Sequence, residues 1–186
     1  MRILIVYIFF SFLSYNTYAL DIGPSTGLTI PRFVSLKSDE VNLRVGPSIN
    51  YPKELQYIRK NIPVEIIDEY DLWRKIVDID GNTGWLHKSL IKAERYAIVS
   101  TKKDKNVIVF NYPFGRKIGE IGRHNIVKLN SCLKEWCSIY INEKQGWMNK
   151  DNLWGVYENE IYKPSFLQPV INFYWKVEDF IFKKLF

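Results

Sequence analysis

Between residues 33 and 157 the apolar positions fall in short runs that alternate with polar ones, separated by Gly, Pro, Asn and Asp. Val41–Arg44, Leu55–Ile58, Val64–Asp68, Trp73–Val77 and Thr83–Leu86 are such runs, rich in β-branched and aromatic residues. A period of two with these residue types predicts strands with one face buried. Gly46-Pro47-Ser48-Ile49-Asn50 predicts a turn, and Asp80-Gly81-Asn82 a hairpin turn in which Gly supplies a positive φ. No stretch before residue 160 carries a helical period longer than a turn or two. The tail differs. From Pro169 on, Asn172, Lys176, Asp179 and Lys183 form one polar stripe. Val170, Phe173, Tyr174, Val177, Phe180, Ile181 and Leu185 cover the remaining surface. This predicts an amphipathic helix with Pro in its first turn and a broad apolar face that needs cover. We expect the strand-rich part of the chain to supply that cover, with a membrane or partner surface as the alternative.

The strand pattern occurs twice. Trp73 is echoed by Trp136, Gly84-Trp85 by Gly146-Trp147, Arg59–Val64 by Arg123–Val127, and Val41–Arg44 by Val107–Phe110. The offsets are 63, 62, 64 and 66 residues, which points to a duplicated unit of about 60 residues. The expected layout is a signal peptide at 1–19, a linker at 20–32, units at 33–93 and 97–157, and a helical tail at 158–186.

The signal peptide is expected from Met1-Arg2, the apolar run Ile3–Leu13, and Thr17 and Ala19 at the −3 and −1 positions of a cut after Ala19. The apolar run falls short of the roughly 20 residues needed to span a bilayer. Export changes the surroundings of both the charges and the cysteines. The chain carries a formal charge of +6, or +5 once Arg2 is cut away, and outside the cytoplasm it meets acidic envelope polymers or lipid headgroups rather than nucleic acid. Cys132 and Cys137, the two cysteines of the 186 residues, then lie in an oxidising space. They flank a tight turn at Lys134-Glu135, so a hairpin would place them opposite each other as a structural disulfide. A redox C-x-x-C motif or a zinc site would need a different spacing or more ligands.

Val41-Asn42-Leu43-Arg44-Val45-Gly46-Pro47-Ser48, followed by Tyr51-Pro52, resembles the opening of a bacterial SH3 (SH3b) domain. Asp71-Leu72-Trp73-Arg74-Lys75-Ile76, Gly81–Leu86 and Lys88-Ser89-Leu90-Ile91 resemble its later strands and closing turn, in the family's order. The second unit is a weaker match: it keeps Trp136, Gly146-Trp147 and Asn152-Leu153, but has Asn111–Gly115 where the family has R-x-G-P. Paired units behind a signal peptide look like exported tandem SH3 proteins of alphaproteobacterial type. The resemblance implies a mainly β fold, two tandem SH3-like small β-barrels plus a C-terminal amphipathic helix. It also implies a binding or targeting role.

For catalysis the sequence offers little. His87 and His124 are isolated and read as loop histidines. Asp78–Asn82 fails as a calcium loop, having Thr83 and Ser89 where an EF-hand needs Gly and Glu. Gly119-Glu120-Ile121-Gly122 has the spacing of a KH phosphate clamp but lies in strand-rich sequence. We therefore expect no enzyme, no metal and no cofactor. The tryptophans are the stronger signal. Trp85 and Trp147 read as core residues, Trp73 and Trp136 as half-exposed groove residues. Aromatic faces beside cations suit peptides and sugars. Arg44, Tyr51, Tyr57, Tyr70, Trp73 and Trp136 are the candidate ligand-binding residues. The expected function is a non-catalytic, periplasmic binding protein for peptidoglycan or an envelope protein or peptide. The alternative is a structural scaffold for an envelope complex, held by its C-terminal helix, with peripheral membrane contact there.

Overall fold

A computed structural model describes residues 21–101 and 106–185. The expected signal peptide lies outside the described residues. The first described element is a hairpin of β1 (Asp21–Ile22) and β2 (Thr29–Ile30). The first unit contains β3 (Arg32–Leu36), β4 (Val41–Arg44), β5 (Lys53–Tyr57), β6 (Pro63–Tyr70), β7 (Trp73–Val77), β8 (Thr83–His87) and β9 (Ile91–Lys92). The second contains β10 (Tyr96–Val99), β11 (Val107–Phe110), β12 (Lys117–Ile121), β13 (Ile126–Cys132), β14 (Trp136–Ile141), β15 (Lys144–Asn149) and β16 (Leu153–Trp154). Helix α1 (Gln168–Leu185) is the last element.

Each unit is one seven-stranded sheet, ordered β5-β4-β8-β7-β6-β3-β9 and β12-β11-β15-β14-β13-β10-β16. The two orders are the same when strands are counted from the start of each unit. Irregularities recur in place as well: register shifts fall at Leu43/Arg44 and Val109/Phe110, and at Ile66/Asp68 and Leu129/Ser131. Such bulges bend a strand and raise its twist. In the first unit β3 to β8 all place side chains in one cluster, including Leu36, Leu43, Tyr57, Ile66, Ile76 and Leu86. A single sheet can surround one core in that way only by curling on itself. The second core contains Val99, Val109, Ile121, Leu129, Ile139 and Met148. The mainly β class with a terminal helix is thus the one the sequence pattern predicts.

Among the described residues, no tryptophan belongs to either core cluster. Trp147 is nevertheless buried, as expected of a core residue, whereas the reading of Trp85 as core is corrected. On β8, Gly84 and Leu86 face inward and Trp85 outward, half-buried; strict alternation puts the smaller neighbours inside. Met148 takes the inner position beside Trp147.

Residues 20–32, expected as a linker, carry the β1–β2 hairpin, which is fastened to the first unit. The buried carboxylate of Glu69 accepts from Arg32 Nη2 at 2.5 Å, from the backbone N–H of Ser25 and Thr26 at 3.1 and 2.9 Å, and from Thr26 Oγ1. Arg74 Nε stands 3.4 Å away. A Cβ on Gly23 would come within 2.5 Å of this carboxyl, so only glycine lets the chain approach so closely.

The units meet across residues 93–95. Phe33 packs against Trp154 and Tyr157, with centroids 5.2 and 4.8 Å away, and Tyr157 donates to Glu65 Oε1 at 2.7 Å. Gly155, at φ 112°, passes between Ala97 and Pro63; a side chain there would strain the backbone and collide with both units. Arg95 forms two hydrogen bonds with Glu160, at 2.6 and 3.1 Å, and a third with the Gly155 carbonyl at 2.7 Å. Lys150 is buried and donates to the carbonyls of Glu158 and Glu160, which holds the segment leading to α1 against the second unit.

Cys132 and Cys137 form a disulfide across the β13–β14 hairpin, opposite each other in register. Peptide mapping without reductant should recover them joined, and serine substitution should cost about 2 kcal/mol, the chain-entropy value for so short a loop. Free alkylation of both thiols in the native protein would contradict this.

Candidate aromatic binding site

Register identifies equivalent positions in the two units. Arg44 pairs with Trp85 and Phe110 with Trp147; Trp73 pairs with His87 and Trp136 with Asn149. His87 and Asn149 also do the same local work. Each side chain accepts from the backbone N–H two residues on and caps a short 3-10 turn, at Lys88–Leu90 and Lys150–Asn152. His124 sits at a positive φ, as Asn61 does; their N–H groups donate to Val99 and Leu36, the equivalent strand ends. Both histidines thus serve turns. Asp78 closes the β7–β8 turn by accepting from Asp80, Asn82 and Tyr57.

In the first unit the loop after β4 folds back so that Arg44 Nη1 donates to the Tyr51 carbonyl at 2.6 Å. Arg44 therefore props the loop as well as edging the surface. Tyr51 is 46% and Tyr70 62% exposed. Trp73 is half-buried and meets His87 edge-on, with centroids 5.5 Å apart. Tyr57, expected in the same row, is not there. It is part of the core, donating to Asp78 Oδ2 at 2.9 Å. Burial first, then Asp78, push its phenol pKa far above the usual range.

The equivalent end of the second unit is built from different residues. Phe110 replaces Arg44 and packs edge-on against Trp136 at 5.4 Å; Phe114, from the loop after β11, meets the same indole at 5.1 Å. Trp136 is consequently 8% exposed rather than half-exposed as expected. The hairpin behind it is held by the disulfide, by Leu133 N–H to the Trp136 carbonyl at 2.7 Å, and by Lys150 N–H to the Glu135 carbonyl at 2.9 Å. Helix α1 docks here through Trp175, which stacks on Tyr112 at 5.9 Å and meets Trp147 edge-on at 5.3 Å. Trp147 is 7% exposed while the equivalent Trp85, with no helix above it, stays half-buried. The expectation that the strand units cover α1 holds only along this edge: Val170, Phe173, Tyr174 and Phe180 remain 63–70% exposed.

Between α1, the disulfide hairpin and the Asn111–Arg116 loop lies a cavity of about 360 Å³. Phe114, Trp136 and Trp175 line it, with Lys134, Glu135 and Lys176. Of these, sequence reasoning singles out Trp136 alone. Phe110 is legible as the partner of Arg44 in the repeat, whereas Trp175 carries no signal beyond its place in an amphipathic helix.

Residues 37–92 match the bacterial SH3 domain family. No curated protein matches the chain. Among solved structures it is similar to the endolysin LysPBC5 CBD, at 19% identity and a TM-score of 0.28, covering 72% of this chain and 96% of that one. It is similar also to NlpC1 from Trichomonas vaginalis, at 12% identity and a TM-score of 0.31, covering 71% of this chain. An NlpC/P60 family protein from Bacillus cereus ATCC 10987 shows 12% identity and a TM-score of 0.30, covering 75% of this chain. The chain spans 48% and 61% of the length of these last two. Among the described residues no group of three His, Cys, Asp or Glu side chains is placed to hold a metal, and no helix is long and apolar enough to cross a membrane.

Proposed function

We propose that the protein is a non-catalytic, exported binding protein of the bacterial cell envelope that recognises peptidoglycan or a peptide-like ligand. The observation that carries this reading is the set of uncovered aromatic side chains on the unit that matches the bacterial SH3 domain: Tyr70 and Trp73, paired in register, and Tyr51 are free of core duty. Flat rings beside polar groups stack on sugars and peptide planes without demanding a reactive centre. On this reading residues 33–93 and 97–157 are two SH3-like units, the second assigned by its identical strand order. Residues 158–186 are an accessory tail. The apolar N-terminal run and the Cys132–Cys137 disulfide support a periplasmic location.

The outward face of α1 favours a second reading, a scaffold held in place by its helix. Phe173 and Val170, 70% and 66% exposed, form a face with no intramolecular cover among the described residues. One experiment separates the two. Wild-type protein is expected to sediment with purified peptidoglycan, and Trp73→Ala to lose most of that sedimentation with little change in melting temperature, because Trp73 lies outside the core cluster. Protein that stays in the supernatant with peptidoglycan but floats with phospholipid vesicles would overturn the first reading and support the second.

A further inference from the structure

We propose that the second unit and α1 together form a distinct binding site for the free carboxylate end of a short peptide, in the cavity between Trp136 and Trp175. This extends the proposed binding role to a second site with a ligand chemistry of its own.

Three observations converge. The cavity, about 360 Å³, lies within the size range of small-ligand sites; its hairpin wall is closed by the disulfide, Phe114 packs the loop on that hairpin, and Trp175 packs α1 on the loop and β15. Trp136 is more than nine-tenths buried, yet its indole N–H has no hydrogen-bond partner among the described residues. The nitrogen itself is closed off from the cavity, so an occupant meets the Trp136 ring and not its N–H. Lys134 from the hairpin and Lys176 from α1 line the same cavity, both exposed and neither in an ion pair among the described residues, against one carboxylate, Glu135. Two lysines from separate elements suit an anion, and the rings of Phe114, Trp136 and Trp175 suit an apolar body carrying it. A peptide terminus combines an apolar body and one terminal charge.

The first unit could not take this ligand in the same way. Counting back from its equivalent tryptophan, Trp73, Asp71 stands where the second unit has Lys134. No described helix supplies counterparts of Trp175 and Lys176 there. The charge at the equivalent place is reversed, so the two sites differ in specificity.

The test uses the full chain, with tryptophan indole N–H signals tracked by NMR during titration with N-acetyl-Ala-Phe-Ala, once with a free C-terminus and once amidated. The free acid is expected to shift the Trp136 and Trp175 signals saturably while those of Trp73 and Trp85 stay in place. Amidation should weaken binding about tenfold or more, the worth of one charge-assisted hydrogen bond. Lys134→Gln and Lys176→Gln, both at exposed positions, should each weaken the free acid without affecting the amidated peptide. Equal binding of acid and amide would overturn carboxylate recognition. An absence of shifts at Trp136 and Trp175 with either peptide would overturn the site. If that absence accompanies intact sedimentation with peptidoglycan, the first-unit reading stands and this one alone fails; shifts confined to Trp73 have the same meaning.

Discussion

Glu69→Ala is expected to destabilise the protein by about 3–5 kcal/mol, the cost of removing one partner from a buried ion pair. Glu69 has no exposed side-chain surface, and its neighbours Arg32 and Arg74 are 19% and 5% exposed. Without the carboxylate both guanidinium groups lose their counter-charge, and the Ser25 and Thr26 N–H groups lose their acceptor. The β1–β2 hairpin should then come away from the first unit. Burial pushes the Glu69 carboxyl pKa up, but hydrogen bonds from Arg32 and Thr26, and the charges of Arg32 and Arg74, outweigh it and hold the pKa below the ordinary range. A carboxylate with a depressed folded pKa contributes stability that is complete above the unfolded value, about 4.3. That contribution is lost as pH falls through the folded value. Urea unfolding should therefore show the wild-type advantage over Glu69→Gln at neutral pH and its erosion below about pH 4. A variant as stable as wild type at pH 7 would show that the clamp holds nothing.

Leu86→Ala is expected to cost about 2–5 kcal/mol and to unfold the first unit, whereas Trp85→Ala, one residue away, should cost about 1 kcal/mol. Leu86 is fully buried in the first core; Trp85 lies on the outer face and belongs to no core cluster. A unit of about 60 residues has little stability to spare, so a cavity of that size consumes most of it. Thermal unfolding of both variants is the measurement. Equal losses would restore Trp85 to the core. In the second unit the outer tryptophan, Trp147, is covered by Trp175, so Trp147→Ala should act mainly on the docking of α1.

Local pattern makes the strands and the disulfide legible. Val41–Arg44 and Val107–Phe110 align as repeats, and register places Arg44 and Phe110 opposite equivalent tryptophans. The period of two along Gly84-Trp85-Leu86 also holds the correct inward face, but the size of tryptophan favours the wrong residue. Tyr57 shows the limit in another way. Alternation alone cannot tell a groove tyrosine from a core tyrosine whose hydroxyl finds Asp78, a residue 21 positions away.

Residue periodicities and turn chemistry, acting over a few neighbours, were enough to set the class of fold and the terminal helix. Which aromatic residues are covered depends instead on tertiary contact. Trp147 and Trp85 occupy equivalent outward positions on equivalent strands, but Trp175 of α1 packs on the first of them and nothing from a helix packs on the second among the described residues. The same contact turns one end of the second unit into a cavity, while the equivalent end of the first stays open. Likewise, nothing near Asp21–Ile30 announces a fastened hairpin, because its anchor is a carboxylate more than 40 positions on, at Glu69. Burial of an outer face depends on which distant segment comes to rest on it, and that contact leaves no periodic trace in either segment.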